Sequence, residues 1–138
     1  GIATNDLNDI SDVFGDLLGL EIRGREKIDD QQVITDIYHA GKDKLEFLKA
    51  TSPNSPITKF LDKRPEGMHH IALLVDHLQP ALDYLKDNEI HLIDEKPRLG
   101  AEGFSRAFLH PKSTSGVLIE LCEKKIIKRL SPHSKYYS

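Results

Sequence analysis

Two glutamates and a histidine have the chemical types and sequence settings of a metal site. Glu46 and Glu120 lie within apolar stretches, L-E-F-L at Leu45–Leu48 and I-E-L-C at Ile119–Cys122, that otherwise resemble core strands. A buried carboxylate without a partner is costly, and a lysine or arginine can neutralise one such group. Two such glutamates together with His70 instead favour a divalent ion such as Co, Mn, Ni or Zn. We therefore predict metal ligands at Glu46, His70 and Glu120.

An internal duplication relates the two glutamates. Gly1–Leu7 (G-I-A-T-N-D-L) and Ala72–Leu78 (A-L-L-V-D-H-L) share a strand-into-turn pattern 71 positions apart, and Glu46 recurs as Glu120, 74 positions on. Two copies of one unit build a pseudo-symmetric domain in which matched side chains can converge on a central site. The counterpart of His70 is expected two positions before the first residue of this sequence.

Two adjacent histidines open the second copy, and strand geometry predicts that only one of them faces the interior. Successive side chains of a strand point to opposite faces of the sheet. The duplication selects His70 for the interior, which leaves His69 as a structural histidine on the packed side.

The elements that must position these residues follow the same order, β-α-β-β-β, in each copy. The strands predicted for the first copy are Gly1–Thr4, Leu20–Gly24, Val33–His39 and Lys44–Lys49, with a helix over Asp9–Leu18. Those predicted for the second copy are Met68–Val75, Ile90–Asp94, Ser105–His110 and Gly116–Cys122, with a helix over Leu78–Leu85. This pattern predicts an α+β fold of two pseudo-symmetric βαβββ modules that form an eight-stranded, partly open barrel around a shared cavity.

One domain is expected over residues 1–123. The first module occupies 1–50 and lacks the start of its first strand, a linker with a short helix occupies 51–67, and the second module occupies 68–123. A C-terminal tail of 124–138 follows, in which the apolar periodicity fails.

Composition excludes several classes of function. A chain of 138 residues with a net charge of -3 lacks the excess positive charge that binds nucleic acid, so no nucleic-acid partner is expected. No apolar run approaches the roughly 20 residues that span a bilayer, so no membrane partner is expected. Cys122 is the single cysteine, which favours a reducing compartment.

Several motifs extend the argument beyond the three candidate ligands. They are G-I-A-T-N-D-L at the start, L-L-G-L-E at Leu17–Glu21, S-P-I-T-K-F-L at Ser55–Leu61, E-G-M-H-H-I-A at Glu66–Ala72, P-R-L-G-A-E-G at Pro97–Gly103 and F-L-H-P-K-S-T-S-G-V-L-I-E-L at Phe108–Leu121. With them the chain resembles the methylmalonyl-CoA epimerases of the vicinal oxygen chelate (glyoxalase-like) superfamily. The turn His110–Gly116 separates it from glyoxalase I and many dioxygenases, which carry a D-P-D-G type turn there.

The resemblance implies a metal-dependent epimerase that interconverts (2R)- and (2S)-methylmalonyl-CoA through a metal-stabilised enolate. The ligand pattern of the superfamily falls on Glu46, His70, Glu120 and the upstream histidine, with Glu120 also the candidate for catalytic proton transfer. Loop residues Lys112, Ser113 and Arg98 are candidates for binding the CoA phosphates. The resemblance further implies one divalent ion, an acyl-CoA substrate, a homodimer, a role in propionate metabolism and a cytoplasmic (in a eukaryote, mitochondrial matrix) location.

One position departs from the pattern. Some epimerases carry a second carboxylate, proposed as a catalytic base, where this chain has Thr35; Asp36 beside it is expected on the opposite face of the strand. The second acid or base is therefore unassigned. Two alternatives stay open: a glyoxalase I-type lactoylglutathione lyase that uses the same site, and a non-catalytic binding module of the same fold.

Overall fold

The computed structural model describes residues 1–125, which form two β-sheets. Most of the predicted tail, 124–138, therefore lies outside the described residues. Within residues 1–125 there is no helix with the length and apolar character needed to cross a bilayer.

The first module contains four strands and supplies most of the first sheet. Its strands are β1 (Ile2–Ala3), β2 (Ile22–Ile28), β3 (Val33–Ala40) and β4 (Asp43–Ala50). A fifth strand, β5 (Gly67–Met68), joins them in the order β2-β3-β4-β1-β5. The tight β3–β4 turn places Gly41 at a φ of 63°, a left-handed conformation that favours glycine.

The helix of this module is wound differently from the prediction. It begins as α1 (Leu7–Ile10), with the carboxylate of Asp6 accepting a hydrogen bond from Asn8 N at 2.8 Å, and continues as a π-helix over Ser11–Leu17. The prediction of the apolar face was based on an α-helix with 3.6 residues per turn. The wider π turns rotate the later residues away from it, so Leu17 and Leu18 are exposed whereas Ile10 and Phe14 pack on the sheet.

The second module repeats the arrangement of the first. Its elements are β6 (Ile71–Leu74), α3 (Leu78–Asp87), β7 (Arg98–Leu99), β8 (Phe104–Leu109) and β9 (Ile119–Lys124), preceded by the linker helix α2 (Pro56–Lys63). The sheet order β6-β9-β8-β7 matches β1-β4-β3-β2, and the pairs β1–β4 and β6–β9 are both parallel. The two open sheets confirm the predicted α+β fold of two pseudo-symmetric modules.

Two predicted strands are wrong. Met68–Val75 is not one strand, because Met68 pairs with β1 in the first sheet whereas Ile71–Leu74 pairs with β9 in the second. Ile90–Asp94 contributes only a single bridge, from Leu92 to Leu109. Residues 1–125 therefore contain nine strands, in sheets of five and four, rather than eight in two sheets of four.

Side-chain alternation gives each sheet a packed outer face and an inner face toward the cavity. On β8 and β9, Ala107, Leu109 and Leu121 pack against Leu78 and Leu82 of α3. The intervening residues line the cavity between the sheets: Arg106, Phe108, Glu120 and Cys122. On β4, Phe47 packs against the first helix, which sends Glu46 and Leu48 inward.

Candidate active site

The structure brings two of the three predicted ligands into contact. His70 Nε2 lies 3.0 Å from Glu120 Oε2, and both side chains are almost fully buried. The other carboxylate oxygen accepts a hydrogen bond from Cys122 Sγ at 3.2 Å. Burial alone raises the pKa of Glu120, but the hydrogen bond and charge of His70 outweigh it, so the pKa lies below its ordinary value. Glu120 is therefore a carboxylate at neutral pH.

Long-range pairing holds both partners in place. Glu120 lies opposite Phe108 on β8 and in register with Ala72 of β6. The His70 ring meets the Phe108 ring edge-on at 5.7 Å. On its other side it packs against the backbone of Gly1, where an added Cβ would lie 2.1 Å from His70 Cε1. A side chain at that position would displace the His70 ring from the place it occupies here.

Glu46 reaches the same cavity from the first sheet. The cavity has a volume of about 550 Å³ and is lined by Glu46, His70 and Glu120 among others. Burial, and next the negative charge of Glu120, raise the pKa of Glu46 above its ordinary value. Two carboxylates that repel each other beside an imidazole form a donor set that a divalent cation would satisfy.

The three predicted ligands do not come together as one complete metal site in this structure. Among residues 1–125, no three His, Cys, Asp or Glu side chains lie close enough together to hold a metal ion. His70 and Glu120 touch, and Glu46 lines the wall of the same cavity. The chemistry of the donors fits a metal, and the complete three-residue site stays a prediction.

The expectation that His69 faces away from the cavity is wrong. Neither histidine lies within a strand, because the chain crosses from one sheet to the other between β5 and β6, so strict alternation does not apply. His69 Nδ1 lies 3.0 Å from His70 Nδ1, and its ring meets Phe60 at 5.1 Å. Burial, and next the charge of His70, lower the pKa of His69 to about 4, so it is neutral at pH 7.

The predicted phosphate-binding residues lie outside the cavity wall. Lys112 and Ser113 form a 3₁₀ turn after β8, where Ser113 Oγ accepts a hydrogen bond from His91 N. Arg98 on β7 pairs loosely with Asp94 at 3.5 Å and with Asp30 at 3.7 Å. Their role in binding CoA stays a prediction.

Sequence reasoning missed the inner-facing Arg106 and the ion pair between the buried Asp36 and the half-exposed Arg25. Asp36 is on the outer face of β3, as expected, and binds Arg25 through two hydrogen bonds of 2.6 and 2.9 Å. Arg106 lies two residues before Phe108 on the inner face of β8, and alternation along that strand was the signal that could have found it.

Comparison with known proteins places this arrangement in a family. Residues 1–108 match the Glyoxalase/Bleomycin resistance protein/Dioxygenase superfamily. The uncharacterized protein YqjC of Bacillus subtilis is 40% identical over 125 residues, 91% of this chain and 89% of that protein. The mitochondrial methylmalonyl-CoA epimerase of Dictyostelium discoideum is 37% identical over 124 residues, 89% of this chain and 75% of that protein.

Solved structures agree with the sequence relatives. A methylmalonyl-CoA epimerase in complex with methylmalonyl-CoA and NH4+ superimposes with a TM-score of 0.87 at 28% identity, covering 92% of each chain. The chain therefore belongs to the glyoxalase superfamily and, within it, to the methylmalonyl-CoA epimerase family.

Proposed function

We propose that this protein interconverts (2R)- and (2S)-methylmalonyl-CoA by proton transfer at C2. Its relatives named methylmalonyl-CoA epimerase identify it as an isomerase. The single observation that carries the reaction is the buried contact between His70 and Glu120, on a cavity wall that also contains Glu46. This arrangement supplies an oriented carboxylate inside a partly enclosed site of suitable size.

Glu120 is the proposed proton carrier on one face of the substrate. The C2 proton is weakly acidic because a thioester and a carboxylate flank it, so a positioned carboxylate can remove it. His70 and Cys122 hold one oxygen each and fix the direction of the carboxylate. A divalent ion held by Glu46, His70 and Glu120 would supply a Lewis acid for the developing enolate.

The residue at the second face is not a carboxylate of β3. Thr35 occupies the position where some epimerases carry one, and a hydroxyl is not a base at neutral pH. Asp36 cannot replace it, because it is on the outer face and is engaged by Arg25.

The CoA portion is proposed to contact cations at the surface. Lys112 is exposed, and Arg98 is half-exposed with only long ion pairs, so both can turn toward phosphates. Ser113 lies beside Lys112 in the same turn.

A homodimer is proposed from apolar residues on two edge strands. Within residues 1–125, β5 ends the first sheet and β6 ends the second. Met68, Ile71, Leu73 and Leu74 on these strands are 67%, 41%, 50% and 71% exposed. A second copy would cover such a surface, and light scattering at dilute and concentrated protein would test it.

The reaction is tested by following exchange at C2 in D₂O. Protein treated with a chelator and then loaded with Co, Mn, Ni or Zn would be incubated with (2R)-methylmalonyl-CoA, and NMR would report deuterium incorporation and the (2S) product. We expect exchange that depends on the added ion. Turnover of the methylglyoxal–glutathione hemithioacetal without exchange would support the lyase instead, and absence of both activities would support a binding module.

A further inference from the structure

Arg106 is a buried cation with incomplete hydrogen bonding. Its side chain is 5% exposed, and Nη2 donates to Asp30 Oδ2 at 3.2 Å. Within residues 1–125, Nη1 has no hydrogen-bond partner. A buried guanidinium N–H without an acceptor is unfavourable, so an acceptor from outside the protein would stabilise it.

The guanidinium lies beside the proposed reaction centre. Arg106 lines the cavity, and its Cζ is 5.2 Å from the centre of the Phe108 ring. Phe108 is directly opposite Glu120, which makes Arg106 the diagonal neighbour of Glu120, about 7–8 Å away between backbones. Arg106 and Glu120 therefore lie on the same wall of the cavity, one cross-strand diagonal apart.

The fold makes specific room for this side chain. The loop after β7 crosses over Arg106 at Gly100, where an added Cβ would lie 2.8 Å from Arg106 Cδ. The loop can cover the arginine because residue 100 has no side chain. Arg106 is therefore accommodated by its surroundings rather than directed out to solvent.

A second unpartnered polar group faces the interior from the other sheet. Thr35 is fully buried, and its Oγ1 has no hydrogen-bond partner in the part of the chain that the structure describes. Thr35 is in register with Leu48, which lines the cavity, and so has the same inward orientation. Thr35 does not line the cavity itself, so of these two unpartnered groups Arg106 is the one on the cavity wall.

We propose that Arg106 binds the free carboxylate of the acyl group and so selects malonyl-type CoA esters over simple acyl esters. The inference rests on the proposed function, since it assumes that the cavity receives an acyl-CoA. Arginine matches a carboxylate with two parallel hydrogen bonds, and the negative charge of Glu46 and Glu120 would otherwise repel such a ligand. The cation compensates for that repulsion on the side of the cavity where Glu120 lies.

Two CoA esters that differ only at this group provide the test. Titration calorimetry would compare malonyl-CoA with propionyl-CoA, which has a methyl group in place of the carboxylate. We expect the wild-type protein to prefer malonyl-CoA, and Arg106→Met to lower the affinity for malonyl-CoA by about tenfold or more with propionyl-CoA nearly unchanged. Arg23→Met is the matched control, because Arg23 is also an arginine paired with a carboxylate, Glu102 at 2.9 Å, but lies outside the cavity wall. It should leave the ratio of the two affinities unchanged.

Other outcomes would overturn the inference. No preference in the wild type, or an unchanged preference in Arg106→Met, excludes carboxylate recognition by Arg106. Equal weakening of both esters by Arg106→Met assigns Arg106 to a CoA phosphate, which the two esters share. If Arg106→Met does not fold, Asp30→Asn decides the matter, because Asp30 is 41% exposed and competes for the guanidinium. Removal of its charge should increase the preference for malonyl-CoA, and an unchanged or decreased preference contradicts the proposal.

Deuterium exchange separates this inference from the proposed function. An Arg106-dependent preference without exchange at C2 of methylmalonyl-CoA would overturn the epimerase and leave carboxylate recognition standing. Exchange without the preference would overturn carboxylate recognition alone.

Discussion

Glu120→Gln is expected to separate the catalytic role of this residue from its structural role. Glutamine has the same shape and can still accept a hydrogen bond from His70, which now meets a neutral oxygen at about the observed 3.0 Å. Hydrogen bonds to charged groups contribute about 1.5–3 kcal/mol and neutral ones about 0.5–1.5 kcal/mol. The free energy of unfolding should therefore fall by only about 1 kcal/mol. Deuterium exchange at C2 should fall by about 100-fold or more, because the amide cannot accept the proton.

Glu123→Gln is the matched control on the same strand. Glu123 faces outward, where its Oε2 accepts a hydrogen bond from Leu78 N at the start of α3, at 3.2 Å. Loss of this charge at a helix N-terminus costs about 0.3–1 kcal/mol and should leave exchange near the wild-type rate. NMR exchange rates and urea unfolding would be measured on both variants. A Glu120→Gln protein that exchanges within about tenfold of wild type, or an equal loss in Glu123→Gln, would refute the assignment.

Three further predictions concern buried charge. The pKa of Glu46 is raised, so its ionised form destabilises the folded state as the pH rises above the ordinary glutamate pKa. Glu46→Gln should therefore increase the free energy of unfolding at pH 7 but not at pH 3. The same variant should abolish the stabilisation by added Co²⁺ in thermal unfolding. The pKa of His69 is lowered to about 4, so the unfolded chain binds more protons than the folded chain between pH 4 and 6.5, and stability should rise with pH across that window. In urea unfolding, the stability of His69→Gln should depend less on pH than that of the wild type. An unchanged slope of stability against pH would contradict this. Arg25→Met leaves the buried Asp36 without its partner and should lower the free energy of unfolding by about 2 kcal/mol. The loss is smaller than for a fully buried pair because Arg25 is 56% exposed. In urea unfolding, the double variant with Asp36→Leu should recover most of this loss.

Local sequence patterns were sufficient to predict the two modules and most of their strands. Alternation of apolar residues predicted β3, β4 and β8 to within one or two residues, and the duplication predicted the β-α-β-β-β order of both copies. It also predicted that Glu46 and Glu120 face one interior. These features depend on the periodicity of side chains along a strand and on the repetition of one unit, both of which are present in the linear chain.

Contacts between distant segments decided the rest. The run Met68–Val75 has the composition of one strand, yet it is divided because Met68 finds its partner in β1 and Ile71 finds its partner in β9. That division places both histidines at the cavity, against the expectation from alternation. The pairing of Arg106 with Asp30 joins residues 76 positions apart, and no local pattern specifies it. Composition and periodicity determine which face a residue occupies within its own strand. The packing of the whole chain decides where that strand lies in a sheet and which residues meet across the cavity.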